Sequence, residues 1–148
     1  MDAGVNENAL GSTPDLDVDL REYARPPLRE LRGLIRAALR GEDEDCVADA
    51  ELVVTELVSN AFDHGHAPRR LHVWRTGRPV TVHIEVGDSG RDDMPVVGKS
   101  RLGSARGRGL IMVSRLSRRW GVSLHRLGKT VWAELTCPAP HVRPAPTA

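Results

Sequence analysis

The stretch Glu56-Leu-Val-Ser-Asn60-Ala-Phe-Asp-His64 decides how this sequence is interpreted, because its polar residues recur at helical spacing. Glu56, Asn60 and His64 follow one another at intervals of four, so on a helix they share one face, next to an apolar face. A carboxylate and an amide one turn apart can hold a hydrated cation, and Mg²⁺ accepts a few oxygen ligands while keeping several waters. The stretch therefore predicts a magnesium-binding helix face, with a plain solvated face as the alternative.

The segments around this helix predict an α+β domain in the order α-α-β-β-loop-α-β-β. Apolar residues at helical spacing indicate the helices, and strict apolar–polar alternation indicates the strands. The expected helices cover residues 27–41 and 43–64 and begin again near 108; the expected strands are 70–75, 80–86, 120–126 and 130–136, and a loop covers 88–106. This order favours a two-layer sandwich, a mixed but mostly antiparallel sheet with helices on one face.

We expect one folded domain at residues 23–137 of the 148-residue chain. Residues 1–22 are rich in Gly, Asp and Asn with little periodicity, which predicts a flexible leader. Residues 138–148 contain four prolines. That composition cannot continue a sheet and predicts a flexible tail.

The charge balance argues against a nucleic-acid partner. The chain has 21 basic and 20 acidic residues, a net charge of +1, whereas nucleic-acid binders usually carry a clear basic excess. Arg115, Arg118 and Arg119 leave a DNA-binding regulator as a minor alternative. No apolar run approaches the roughly 18 residues of a membrane span. The N-terminus is unlike a signal peptide, so we expect a cytoplasmic protein away from membranes. Cys46 and Cys137 lack CxxC spacing and are interpreted as reduced thiols.

Two further patches carry chemistry. Asp88-Ser-Gly90 follows a buried strand, where a carboxylate can accept a hydrogen bond from an exocyclic amine and Gly90 lets the backbone turn away. A simple β-turn is the alternative. The glycine-rich stretch 103–110 opens the third helix, where free N–H donors and the helix dipole favour phosphate. Arg106 and Arg108 add positive charge there.

Together and in this order, the three patches resemble the nucleotide site of the GHKL ATPase superfamily, in its anti-sigma-factor serine/threonine kinase branch. Residues 56–64 resemble the N box, Asp88-Ser-Gly90 the first glycine box, and Gly107-Arg-Gly109-Leu110 the second. Gly128-Lys-Thr130-Val-Trp-Ala-Glu-Leu resembles the last strand of the family, whose Thr supports the adenine-binding Asp.

The resemblance implies ATP and Mg²⁺ as the bound groups. Glu56 would be the catalytic base, Asn60 the metal ligand, and Asp88 the partner of the adenine amine, with Thr130 behind it. The implied nucleotide-binding set is Asn60, His64, Asp88, Gly90, Arg106, Gly107, Arg108, Gly109, Leu110 and Thr130.

The same resemblance implies a protein kinase that phosphorylates a Ser or Thr of a STAS-type antagonist and also binds a sigma factor, and it implies a homodimer. One residue departs from the pattern. The first glycine box usually reads DxGxG, and Asp92 stands where the second Gly is expected. The alternative is therefore a partner-switch binding module with a degenerate ATP site and little or no catalysis.

Overall fold

The computed structural model describes residues 12–90 and 104–140, which form a sheet covered on one face by helices. In chain order the elements are β1 (Leu16–Asp19), α1 (Leu28–Ala38), α2 (Glu44–His64), β2 (Arg70–Thr76), β3 (Val80–Asp88), α3 (Ser104–Leu116), β4 (Arg119–His125) and β5 (Gly128–Cys137). The strand order is β1-β2-β3-β5-β4, and each described pair of neighbours is antiparallel. The predicted α+β sandwich is confirmed.

The core lies between the sheet and the helices. Alternation along β3 sends Val82, Ile84 and Val86 to the helix side, where each is at most 1% exposed. β5 contributes the residues opposite them, and α2 contributes the apolar face expected from its sequence. The fully buried large side chains are Leu20, Leu31, Ile35, Leu39, Val53, Val54, Leu57, Val58, Leu71, Val73, Val82 and Ile84.

A strand absent from the sequence prediction forms the sheet edge. Residues 16–19 fall in the segment expected to be a flexible leader, yet they pair antiparallel with β2 as β1. Asp17 accepts two hydrogen bonds from the guanidinium of Arg70, and Leu20 is buried just beyond the strand. Four residues are too few for a convincing alternation pattern, and the strand depends on a partner far along the chain. The prediction was wrong for this part of the leader; residues 1–11 lie outside the described part.

Helix α2 begins and ends where the sequence indicates. Asp43 is its N-cap and accepts a hydrogen bond from the Cys46 amide at 3.2 Å, and Glu44 and Asp45 favour the positive end of the dipole. Gly65 follows its last residue. Since α2 carries the polar row of the opening stretch, these well-defined ends fix where that row lies.

Helix α3 begins four residues earlier than expected. The sequence places its start near Arg108, whereas the helix runs from Ser104 to Leu116. Glycine inside a helix costs about 1 kcal/mol relative to alanine, so Gly107 and Gly109 pointed to a later start. The consequence is that Gly109 lies in the second turn of α3 and not at its N-terminus.

The two cysteines form a disulfide, so the interpretation as reduced thiols was wrong. Cys46 lies in the first turn of α2 and Cys137 ends β5, with their Cα atoms 5.4 Å apart. That separation is typical of disulfides. The residues are 91 positions apart in sequence, and spacing motifs cannot reveal such a pairing. None of the helices in the described ranges has both the length and the apolar character to cross a bilayer.

Gly33 is a site where the fold can be made more stable. It lies within α1, and a Cβ added there would meet no atom within 4 Å. Because alanine loses less backbone entropy than glycine on entering a helix, Gly33→Ala is expected to raise the free energy of unfolding by about 0.5–1 kcal/mol. Urea denaturation followed by circular dichroism measures the change, and an unchanged or lower midpoint would contradict it.

Candidate functional site

Helix α2 connects the patches singled out in the sequence. Its polar row begins at Glu56, beside α3, and continues through Asn60 to Gly65, beside the end of β3. Nine residues of helix span about 14 Å. The row therefore connects α3 with the end of β3, and it is long enough to lie along an elongated ligand.

Glu56 lies against α3. A Cβ at Gly109 would collide with the carboxylate of Glu56, so Gly109 leaves room for this side chain in its present position. Burial raises the pKa of the Glu56 carboxyl group above its ordinary value. A carboxylate with a raised pKa is a better proton acceptor near neutral pH. Gly109, predicted to lie at the helix N-terminus, lies instead in the second turn of α3 and contacts Glu56.

Asn60 is a buried amide one turn further along α2. Its side chain is 8% exposed, and its Nδ2 has no hydrogen-bond partner among the described residues. Leaving a buried polar atom unpaired costs about 1–3 kcal/mol. An unpaired buried amide is therefore a sign of a group that binds beside it.

Asp88 ends β3 and has one fully used and one free oxygen. Oδ1 accepts hydrogen bonds from the Gly90 amide at 2.7 Å, the His66 amide at 3.2 Å and the Lys129 ammonium at 3.2 Å. Oδ2 is buried and has no partner within the described part of the chain. The carboxylate is thus held rigidly, with one acceptor left for a donor from outside.

Two glycines allow the backbone to pack around Asp88. A Cβ at Gly65 would lie 2.5 Å from Cγ of Asp88, and one at Gly90 would lie 2.6 Å from Cδ2 of His66. Arg69 secures the end of α2 by donating to the carbonyl of Ala61 at 2.7 Å. Gly65 was predicted only as a helix stop, and its contact with Asp88 is a further role that local patterns do not show.

The residue opposite Asp88 is Lys129, not Thr130. In the register of β3 and β5, Asp88 pairs with Lys129 and Gly87 pairs with Thr130. Because side chains alternate along a strand, Thr130 points to the other face of the sheet, where its hydroxyl lies 2.7 Å from Nε2 of His125. The expectation that Thr130 supports Asp88 is not met in this structure, and sequence reasoning overlooked Lys129.

A cavity of about 640 Å³ opens at the end of the sheet beside these residues. Its lining includes Gly87, Asp88, Ser89, Lys129 and Thr130, but neither Glu56 nor Asn60. No residue of α2 lines the cavity, so it touches Asp88 at the end of the sheet but does not enclose the row along α2.

The other predicted site residues lie around α2 and α3. His64 is half-buried in the last turn of α2, and Leu110 is 2% exposed and part of the apolar interior. Arg106, Gly107 and Arg108 lie in the first turns of α3, and their side chains are outside the described set. Asp92 also lies outside the described residues. Within the described ranges there is no cluster of three or more His, Cys, Asp or Glu residues suited to a metal.

Comparison with known proteins identifies the family. Residues 21–135 match the histidine kinase-like ATPase domain. Because this match covers most of the chain, the protein belongs to that family, and the resemblance of its sequence to GHKL ATPases is confirmed. Membership implies ATP binding. A search of curated proteins gives no match.

Solved structures share the fold at low sequence identity. The crystal structure of the RsbU and RsbW domains of Rv1364c from Mycobacterium tuberculosis is 22% identical, with a TM-score of 0.60. The match covers 86% of this chain but only 35% of that one. The histidine kinase domain of the blue-light activated kinase from Erythrobacter litoralis EL346 matches at 19% identity and a TM-score of 0.47, covering 74% of this chain and 58% of that one.

Proposed function

We propose that this protein is an ATP-dependent anti-sigma regulator that phosphorylates a Ser or Thr of a STAS-type antagonist. The observation that carries the proposal is the row along α2: the free Asp88 oxygen at one end, the unpaired Asn60 amide, and the Glu56 carboxylate at the other end. Family membership supplies the ATP. The similarity of the fold to a chain with an RsbW domain supports the choice of partner. A sigma factor as second partner, a cytoplasmic location and a homodimer belong to the same proposal.

The row suits a nucleoside triphosphate. Asp88 Oδ2 can accept a hydrogen bond from the exocyclic amine of adenine, since Oδ1 is already occupied. Asn60 lies further along α2, and its unpaired Nδ2 would donate to a phosphate oxygen or to water on the metal, while its side-chain oxygen would be the ligand of Mg²⁺. Bound Mg²⁺ would neutralise phosphate charge. The first-turn N–H groups of α3, together with Arg106 and Arg108, would face the same charge.

Glu56 is the proposed base in phosphoryl transfer. The hydroxyl oxygen of the partner's Ser or Thr attacks the γ-phosphorus, and the bond from that phosphorus to the β–γ bridging oxygen breaks. ADP leaves with the electron pair, and the proton of the hydroxyl passes to the Glu56 carboxylate. In such reactions the protein contributes mainly positioning and charge neutralisation. The raised pKa of Glu56 suits it to accept that proton.

A partner switch that binds ATP without turning it over is the second candidate. It is favoured by Asp92, a carboxylate where the first glycine box usually has its second Gly. Asp92→Gly separates the two candidates, because a carboxylate near the phosphates would weaken nucleotide binding by repulsion. If the glycine variant binds ATP no more tightly than the wild type, Asp92 is harmless and the switch loses its support.

The kinase proposal is tested by incubating the protein with γ-labelled ATP, Mg²⁺ and STAS-domain proteins encoded in the same genome. We expect label on one of them, at a Ser or Thr that mass spectrometry locates. Gly33→Ala, altered far from the row, serves as the matched control and should label equally well. ATP binding without transfer to any of the candidates would favour the switch, and no ATP binding at all would overturn both candidates.

A further inference from the structure

We propose that Lys129 recognises the adenine ring directly. Its ammonium group donates a hydrogen bond to the N1 nitrogen, while Asp88 accepts a hydrogen bond from the 6-amino group. This inference rests on the proposed ATP site and assigns it a specificity-determining residue. It starts from the position of Lys129 in the sheet, where the register places it directly opposite Asp88.

Lys129 is buried and has one donor to spare. Its side chain is 3% exposed, and its ammonium contacts Oδ1 of Asp88 and the carbonyl oxygen of Gly90, each at 3.2 Å. A lysine ammonium carries three N–H donors, so one remains without a partner among the described residues. Burying a lysine ammonium group costs desolvation free energy unless its charge is paired and its donors are hydrogen-bonded. The remaining donor is therefore available to a ligand.

The Asp88–Lys129 pair offers one acceptor and one donor on two side chains that are hydrogen-bonded to each other. The acceptor is Oδ2 of Asp88, and the donor is the third N–H of Lys129. The edge of adenine carries the complementary pair, an amine at position 6 and an unprotonated ring nitrogen at position 1. Guanine carries an acceptor at position 6 and a donor at position 1, which is the reverse order. The pair thus favours adenine over guanine.

A competing interpretation is that Lys129 blocks the site by occupying the place of the adenine amine. The geometry disfavours it, because Lys129 bonds to Oδ1 and leaves Oδ2 free. Lys129 also fixes the carboxylate from the side, together with the amides of His66 and Gly90. It orients the acceptor, which stays buried and unpaired.

The test compares ADP analogues by calorimetry, so that turnover plays no part. 1-Deaza-ADP has C–H in place of N1 and loses the acceptor for Lys129, whereas 7-deaza-ADP keeps N1 and is the control. For the wild-type protein we expect 1-deaza-ADP to bind about 10- to 100-fold more weakly than ADP, as for a lost hydrogen bond to a charged group. 7-Deaza-ADP should bind much as ADP does.

The variant Lys129→Met distinguishes direct recognition of adenine by Lys129 from a purely structural role of this residue. If Lys129 donates to N1, the variant should bind ADP and 1-deaza-ADP with equal, weakened affinity. A purely structural role would weaken both and keep the preference for ADP. Arg32→Met, which removes an exposed cation on α1, should leave the preference intact. Should Lys129→Met not fold, equal binding of ADP and 1-deaza-ADP by the wild type would still overturn the inference.

Besides a preference for ADP that persists in Lys129→Met, three outcomes would overturn the inference. Equal binding of ADP and 1-deaza-ADP by the wild type would exclude a contact with N1 while leaving the proposed ATP site intact. Tighter ADP binding by Lys129→Met would show that the lysine blocks the site. No ADP binding by the wild type would remove the proposed function and this inference together.

Discussion

Glu56→Gln is expected to abolish most phosphoryl transfer while leaving nucleotide binding nearly unchanged. Glutamine has the size and shape of glutamate and fits against Gly109, but it cannot accept the proton of the attacking hydroxyl. Loss of a general base lowers rates by about 10²- to 10⁴-fold. Transfer of label to the partner measures the rate, and calorimetry with ADP measures binding. Transfer at the wild-type rate would remove Glu56 from the role of base.

The raised pKa of Glu56 adds two pH effects with defined signs. The transfer rate of the wild type should fall as the pH drops through a value above 4.5, the ordinary pKa of glutamate, because the base becomes protonated. Folding favours the protonated carboxyl group of Glu56. The charged carboxylate therefore lowers the free energy of unfolding at pH values above its raised pKa, and it has no such effect below the ordinary pKa of glutamate. Glu56→Gln removes this penalty. Its gain in free energy of unfolding over the wild type should therefore be larger at pH 7 than at pH 4, as measured by urea unfolding at both values.

Gly128→Ala is expected to cause the largest loss of stability among the substitutions considered. A Cβ at Gly128 would overlap the carbonyl oxygen of Asp88 and lie 2.8 Å from Cα of Ser89. Both are backbone atoms, so no side-chain rotation relieves the overlap. We expect a loss of about 3 kcal/mol and a Tm about 10 °C lower. ATP affinity should fall with it, since Asp88 must move.

Gly33→Ala is the matched control for Gly128→Ala, because it adds the same methyl group where nothing lies within 4 Å. Thermal unfolding of the two variants side by side isolates the effect of the overlap. If Gly128→Ala melts within a degree or so of the wild type, β5 can shift at no cost and the packing around Asp88 is looser than described.

The sequence predicted the elements whose patterns are local and long. The helices were found because α2 has 21 residues with a marked apolar face and capping residues at its start, and β3 was found because its sequence alternates from Val80 to Val86. β1 was missed because four residues carry little pattern and its stability comes from pairing with β2. The start of α3 was misplaced because glycine propensity is a weak local rule that tertiary contacts override.

The candidate site, like the fold, contains residues that local sequence patterns reveal and residues that only the tertiary structure reveals. Glu56, Asn60 and Asp88 were found from residue type and spacing, since one helix or one strand end displays them. The sequence could not show that Lys129, and not Thr130, lies opposite Asp88, because this depends on the register between β3 and β5. A shift of one residue in such a register sends a side chain to the opposite face of the sheet.

The disulfide between Cys46 and Cys137 closes a covalent ring around the whole candidate site. Every residue from Glu56 to Thr130 lies inside that ring. A single peptide-bond break anywhere within it therefore leaves the two pieces linked, and they separate only after reduction. A protease that cleaves the chain between Gly90 and Ser104 would turn the protein into two chains held together by the disulfide, with Asp88 on one chain and Lys129 on the other.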